Sequence, residues 1–209
     1  MARAVRDGKN PHGALAEMIA LRQVEPRVVF AVVGLGGALA LRLGLMTLQG
    51  GTAGPALAFS VALLLIALLA GKVRVELSLR AIVIGLLGAL ILVAMPAWLR
   101  LSGAEPMLIW PAGALAWWAP AVVLVAIAEE ILLRGVLFSL ILDRQGTVAA
   151  VAATSVLFSL IHVPLYGWQA LPLDLAVGVC LAGLRLAGRG VAAPAIAHAA
   201  ADLAGWWLL

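Results

Sequence analysis

Seven apolar stretches dominate this chain, at about 28–48, 55–71, 81–99, 119–142, 147–163, 171–187 and 191–208. A helix crossing a bilayer needs roughly 20 mostly apolar residues. Composition agrees, since 65% of the 209 residues are hydrophobic and 11% are charged. Soluble domains average about half apolar and a quarter charged. The mean hydropathy is +1.13, and long stretches lack the polar face that a helix on a soluble core presents. The expected fold is an all-α, polytopic transmembrane helical bundle of about seven spans.

The basic residues orient the bundle. With a cytoplasmic N-terminus, inside segments hold Arg3, Arg6, Lys9, Arg22, Arg27, Lys72, Arg74, Arg80, Arg144, Arg185 and Arg189, while outside segments hold Arg100 alone. Positive charge concentrates on the cytoplasmic side of membrane proteins. Residues 1–26 lack an early apolar core, so they read as a cytoplasmic or interfacial tail around "ALAEMIALRQ" rather than a cleaved signal peptide. The Trp- and Pro-rich "EPMLIWPAGALAWW" at 105–118 reads as interfacial. Three regions result, namely the tail (1–26), N-terminal helices with the interfacial segment (27–117), and a C-terminal helical core (118–209).

Several function classes drop out. The net charge is +4, but the cations flank apolar runs and are not interleaved with aromatics, so nucleic acid is not an expected partner. The single Cys180 forms neither an internal disulfide nor a Cys-based metal site. "GLGGALA" at 34–40 reads as a helix-packing face, because it lacks the preceding strand and following acidic residue of a nucleotide loop. No internal repeat is visible.

Ionisable side chains at membrane depth cost several kcal/mol each unless paired or hydrated. Arg42, Asp174 and Arg185 have simple readings. Arg42 snorkels about two turns from its span end, Asp174 is wetted near an outer end, and Arg185 lies at an inner end. Six others form three groups: Glu129, Glu130 and Arg134 in "AEEILLRGVLF"; His162, four after Phe158, in "FSLIH"; and His198 with Asp202 in "HAAAD". A spacing of four places side chains on one helix face. Glu130 is thus expected to pair with Arg134, and His198 to share a face with Asp202. Glu129, rotated by about 100°, faces elsewhere.

A lone polar group in a membrane helix often only bonds a neighbour, worth about 1 kcal/mol or less. Two adjacent buried glutamates resist that reading, because one carboxylate suffices for Arg134 and the second adds like-charge repulsion and desolvation. A carboxylate and two histidines from three helices can activate water or bind a metal.

E-E-x-x-x-R, F-x-x-x-H and H-x-x-x-(N/D), in that order on membrane helices, resemble the CPBP family of intramembrane proteases. The family includes type II CAAX prenyl endopeptidases, bacteriocin-processing relatives and the sorting-type myxosortase group. "EEILLRGVLF", "SVLFSLIHVP" and "GRGVAAPAIAHAAAD" carry the resemblance, which spans about residues 118–209. It implies that Glu129 activates water and that His162 helps to hold it. It further implies that His198 and Asp202 stabilise the oxyanion, with Glu130, Arg134 and Phe158 in support. One departure stands out. The CAAX-processing enzymes have Asn where this chain has Asp202, and an ionised Asp cannot donate to an oxyanion. His198 is therefore the better candidate, with Asp202 orienting it or donating only when protonated.

The resemblance implies peptide-bond hydrolysis in a membrane-anchored protein or a leader peptide, inside the lipid bilayer. No cofactor is favoured. The alternative is Zn²⁺ on Glu129, His162 and His198 with Asp202 behind them, although no H-E-x-x-H helix is present. The span positions place the site between mid-membrane and the outer face. Protein sorting or maturation at a bacterial inner membrane therefore ranks above prenyl-protein processing. Rival readings are a transporter or proton relay, disfavoured by the lack of repeated halves, and a catalytically silent scaffold or immunity factor.

Overall fold

The computed structural model describes residues 25–49, 53–71, 75–101 and 115–208, and every regular element among them is helical. The helices are α1 (Pro26–Gln49), α2 (Ala53–Ala70), α3 (Leu79–Leu101), α4 (Leu115–Glu130), α5 (Phe138–Tyr166), α6 (Leu171–Gly188) and α7 (Ala192–Leu208). A π-helical segment, Ile131–Leu137, joins α4 to α5, and a 3₁₀ turn, Trp168–Ala170, joins α5 to α6. The residues assigned to the N-terminal tail up to position 24, and most of the interfacial segment (105–114), lie outside the described residues.

Each predicted apolar stretch is helical, but the helices are not equivalent. Among the described residues, three are long and apolar enough to cross a membrane, covering Pro26–Leu48, Ala53–Ala70 and Trp168–Gly188, and a shorter apolar helix covers Leu79–Ala94. The predicted fourth stretch is α4, the π segment and the start of α5 in succession. It carries three ionisable residues, and its helix geometry changes midway.

Punctuation follows local chemistry. Pro26 occupies the first turn of α1, where a missing N–H is harmless. Within α5, Gly146 has φ 82° and ψ 177°, a backbone region open essentially to glycine alone. The helix is kinked there, between the predicted fourth and fifth stretches. Gly167, at φ 84°, ends α5.

Two packing interfaces frame the C-terminal helices. The most extensive joins α3 to α7. There a Cβ on Gly85 would come within 2.9 Å of the Ala193 carbonyl oxygen, so only glycine permits the approach. The second joins α5 to α6, where Gly178 lies against Ser155, 3.0 Å from the site of a Cβ to its Cα. Small residues bring membrane helices close because lipid supplies no hydrophobic drive for their association. "GLGGALA" packs in part, with Gly34 against Ile66 while Gly36 and Gly37 face open space. The main core runs through α1, α2, α4, the π segment and α5, around Leu35, Phe59, Leu63, Leu132, Leu133 and Phe158.

Candidate active site

The two glutamates end α4, immediately before the π segment. A π segment bonds i to i+5 and frequently marks a functional site; here the Phe138 N–H bonds the Leu133 carbonyl. Two of its carbonyls take side-chain donors. Arg185 Nε donates to the Arg134 oxygen at 3.0 Å, and the Ser139 hydroxyl donates to the Gly135 oxygen at 2.6 Å. Arg185 therefore does more than mark an inner helix end, because it holds the backbone of the widened turn from α6.

Glu130 and Arg134 pair as their spacing predicts, Nη1 to Oε1 at 2.9 Å, both fully buried. Arg134 also donates Nη2 to the Gly178 carbonyl of α6 at 3.2 Å and lies 4.7 Å above the Phe158 ring of α5. The same Glu130 Oε1 accepts from His198 Nδ1 of α7 at 3.0 Å. One carboxylate oxygen thus ties α4, the π segment and α7 together, and its arginine extends the tie to α5 and α6. A buried ion pair tied to several helices in this way favours one arrangement of them, although Glu130 Oε2 and Arg134 Nε are buried without a partner.

His198 and Asp202 share a face, with Nε2 3.6 Å from Oδ2, beyond hydrogen-bond range. His162 Nδ1 lies 2.7 Å from the Phe158 carbonyl. A carbonyl oxygen only accepts, so Nδ1 carries the proton and Nε2 of the neutral ring is an acceptor. Phe158 is the common floor, 4.5 Å from the His162 ring and 5.4 Å from the His198 ring. Tyr166 stacks on His162 at 5.7 Å on the other side.

Glu129 differs from its neighbour. Both are buried with Oε2 unpartnered, but no hydrogen bond or ion pair with a described residue engages Glu129. The sequence reading grouped His198 with Glu129; the structure gives the His198 bond to Glu130. The cause is rotation along α4, since adjacent residues diverge by about 100° and α7 packs on the Glu130 side. Its electrostatic neighbours are His198, Arg42, Glu130 and Arg134.

Two residues set aside as solvated in the sequence belong near this cluster. Asp174 Oδ2 and Arg42 Nε are both buried and unbonded. The Arg42 guanidinium lies 5.1 Å over the Phe59 ring of α2, so it folds onto a neighbouring helix rather than snorkelling. The available signal was depth, because Arg42 lies well inside its apolar run. For Tyr166, the only tyrosine in the chain, the signal was a second step of four beyond Phe158 and His162.

The arrangement has a free buried carboxylate, a histidine with an acceptor nitrogen, and a second histidine fixed by a carboxylate. Such groups can deprotonate and orient a water beside a bound carbonyl. Among the described residues, no three His, Cys, Asp or Glu side chains gather as a metal site requires. The set Glu129, His162 and His198 does not fit a zinc ion in this geometry.

Residues 111–204 match the family model described as "Type II CAAX prenyl endopeptidase Rce1-like". The matched segment contains all three motifs and is consistent with CPBP family membership. No curated protein matches the chain, nor does any solved structure. The match to a protease family, together with helices apolar enough to cross a membrane, supports a multi-pass membrane protease.

Proposed function

We propose, from the CPBP-type match over residues 111–204, that this chain is an intramembrane endopeptidase in which Glu129 activates the attacking water. The observation that carries the reading is the contrast between the glutamates. Each glutamate has one buried oxygen without a partner, but Glu130 is bonded through Oε1 to Arg134 and His198, while no hydrogen bond or ion pair with a described residue engages the buried Glu129. A carboxylate kept free of partners in a buried site is a base available for water. Glu129 takes the water proton as oxygen attacks the carbonyl carbon, then gives it to the leaving amine. His162 Nε2 accepts the second water hydrogen and fixes its direction. Glu130, Arg134 and Phe158 position His198 beside the reacting carbonyl.

The favoured substrate is an exported protein held by a membrane anchor, or a leader-bearing peptide, in a bacterial inner membrane. This rests on seven crossings with the N-terminus inside, which puts the site toward the outer face. A reporter fused to the C-terminus is then inactive in the cytoplasm. The family description favours a second reading, removal of a prenylated C-terminal tail from the cytoplasmic side. No metal takes part in the favoured mechanism.

The test compares membrane proteomes of cells with and without the protein, seeking one anchored precursor that stays uncut. Reintroduced wild type restores cleavage and Glu129→Ala does not, although the variant inserts and folds. Cleavage by Glu129→Ala would defeat the mechanism, and a prenylated precursor would select the second reading. Activity that survives exhaustive chelation supports the metal-free mechanism; loss rescued by Zn²⁺ overturns it.

A further inference from the structure

A histidine orients a water only while its acceptor nitrogen points at a hydrogen of that water. His162 on α5 places its Nδ1–H on the Phe158 carbonyl at 2.7 Å, which leaves Nε2 as the acceptor. One hydrogen bond is a pivot and does not by itself fix the plane of the ring. The plane is set by the aromatic residues one turn before and one turn after. Phe158, His162 and Tyr166 are spaced four apart, so they share one face of α5. The Phe158 ring lies 4.5 Å from the imidazole, tilted by 45°. The Tyr166 ring stacks on it at 5.7 Å, with the two planes only 14° apart. That separation falls within the range of about 4.5–7 Å over which ring pairs attract.

Tyr166 is the last residue of α5, and the helix end holds it in place. The Gly167 N–H closes the final turn on the Val163 carbonyl at 2.8 Å. The Gln169 side-chain amide donates to the Tyr166 carbonyl at 2.9 Å. A tyrosine at a span end is commonly an interfacial anchor, and the neighbouring Trp168, 72% exposed, has that disposition. Tyr166 differs, because one face of its ring is turned to a site residue. Its hydroxyl makes no hydrogen bond to a described residue, so its contact with the site runs through the ring.

We propose that Tyr166 is a positioning residue, its ring closing the side of His162 opposite Phe158 so that Nε2 keeps its aim at the attacking water. The inference rests on the protease reading above and deepens it. No proton moves to or from the Tyr166 hydroxyl, and the ring alone acts. Without that ring the imidazole turns about its Cβ–Cγ bond and intermittently loses the Phe158 carbonyl. Its proton then divides between Nδ1 and Nε2, and the Nε2–H form presents a donor where the water needs an acceptor. Gln169 acts one step further out, by holding the backbone from which the Tyr166 ring projects.

The experiment uses the full chain in detergent with the histidine ring nitrogens isotope-labelled, so that NMR reads which nitrogen carries the proton. His162→Gln identifies the His162 signals by their loss. Wild type shows Nδ1–H alone, Tyr166→Phe keeps it, and Tyr166→Leu gives both tautomers. A merely structural role lowers the melting temperature without moving the tautomer. Cleavage of a quenched fluorescent peptide spanning the bond cut in the precursor follows the same order. Tyr166→Leu lowers kcat by about tenfold with little change in KM, the upper end of what one aromatic pair contributes. Tyr166→Phe keeps the wild-type rate, and Trp168→Leu, which removes the exposed neighbour, changes neither readout. If melts and gel filtration show Tyr166→Leu unfolded, Gln169→Ala takes its place and gives a smaller shift of the same kind. A single Nδ1–H tautomer or a wild-type kcat in the folded variant overturns the assignment. Tyr166→Phe behaving like Tyr166→Leu also overturns it, because the role then belongs to the hydroxyl. The tautomer needs no turnover, which separates the two readings. If wild type cleaves nothing while the tautomer shifts as expected, the protease reading fails and the positioning of His162 stands. If Glu129→Gln is inactive while Tyr166→Leu keeps both rate and tautomer, only this inference fails.

Discussion

Glu130 and His198, on α4 and α7, meet through a 3.0 Å bond from Nδ1 to Oε1, and the same oxygen accepts from Arg134. Glu129, the preceding residue, has no hydrogen bond or ion pair with a described residue, and Oε2 of each glutamate is buried without a partner. The two carboxylates are adjacent in sequence and differ in bonding, and substitution should separate them.

Glu130→Gln leaves the fully buried Arg134 without its counter-charge. Breaking one side of a buried pair typically costs about 3–5 kcal/mol. Glu129→Gln removes a buried carboxylate that has no partner, so it leaves stability unchanged or raises it. Thermal melts of both variants in detergent check this. Equal destabilisation would show that Glu129 is also a structural group.

Phe158 supports three site residues at once, with Arg134, His162 and His198 all within 5.4 Å of its ring. Phe158→Ala opens a cavity beneath them and should cost about 3–5 kcal/mol. Phe158→Leu fills most of the volume but removes the cation–π and ring contacts. It should keep most of the stability while losing cleavage, as parallel melting and cleavage assays would show.

Gly146 holds φ 82° and ψ 177°, and no atom lies within 4 Å of a Cβ placed there. Space is available and only the backbone conformation forbids a side chain. Gly146→Ala should therefore destabilise by about 1–3 kcal/mol through strain alone. Gly36→Ala, also with nothing within 4 Å but inside α1, should be neutral or mildly stabilising. A melt showing equal effects at the two positions would remove strain as the explanation.

The helices were legible because apolar continuity is a property of the chain itself, as α6 (171–188 observed, 171–187 expected) and α7 (192–208 against 191–208) illustrate. So were the pairs Glu130–Arg134 and His198–Asp202, because a spacing of four on a helix places side chains together before any neighbour packs. Local regularity carried no warning of the π segment, whose carbonyls are held by Arg185 from another helix as well as by Ser139 within the turn.

What the sequence by itself determined is the set of helices and the facing pairs within each helix, since these follow from hydropathy and helical pitch. Tertiary structure alone decided that His198 bonds Glu130 and leaves Glu129 free. It also decided that Arg42 and Asp174 turn buried atoms inward and that Phe158 floors the whole cluster. Those outcomes depend on how each helix is rotated about its axis, and that rotation is set by close packing at contacts such as Gly85 and Gly178 rather than by the helix's own residues.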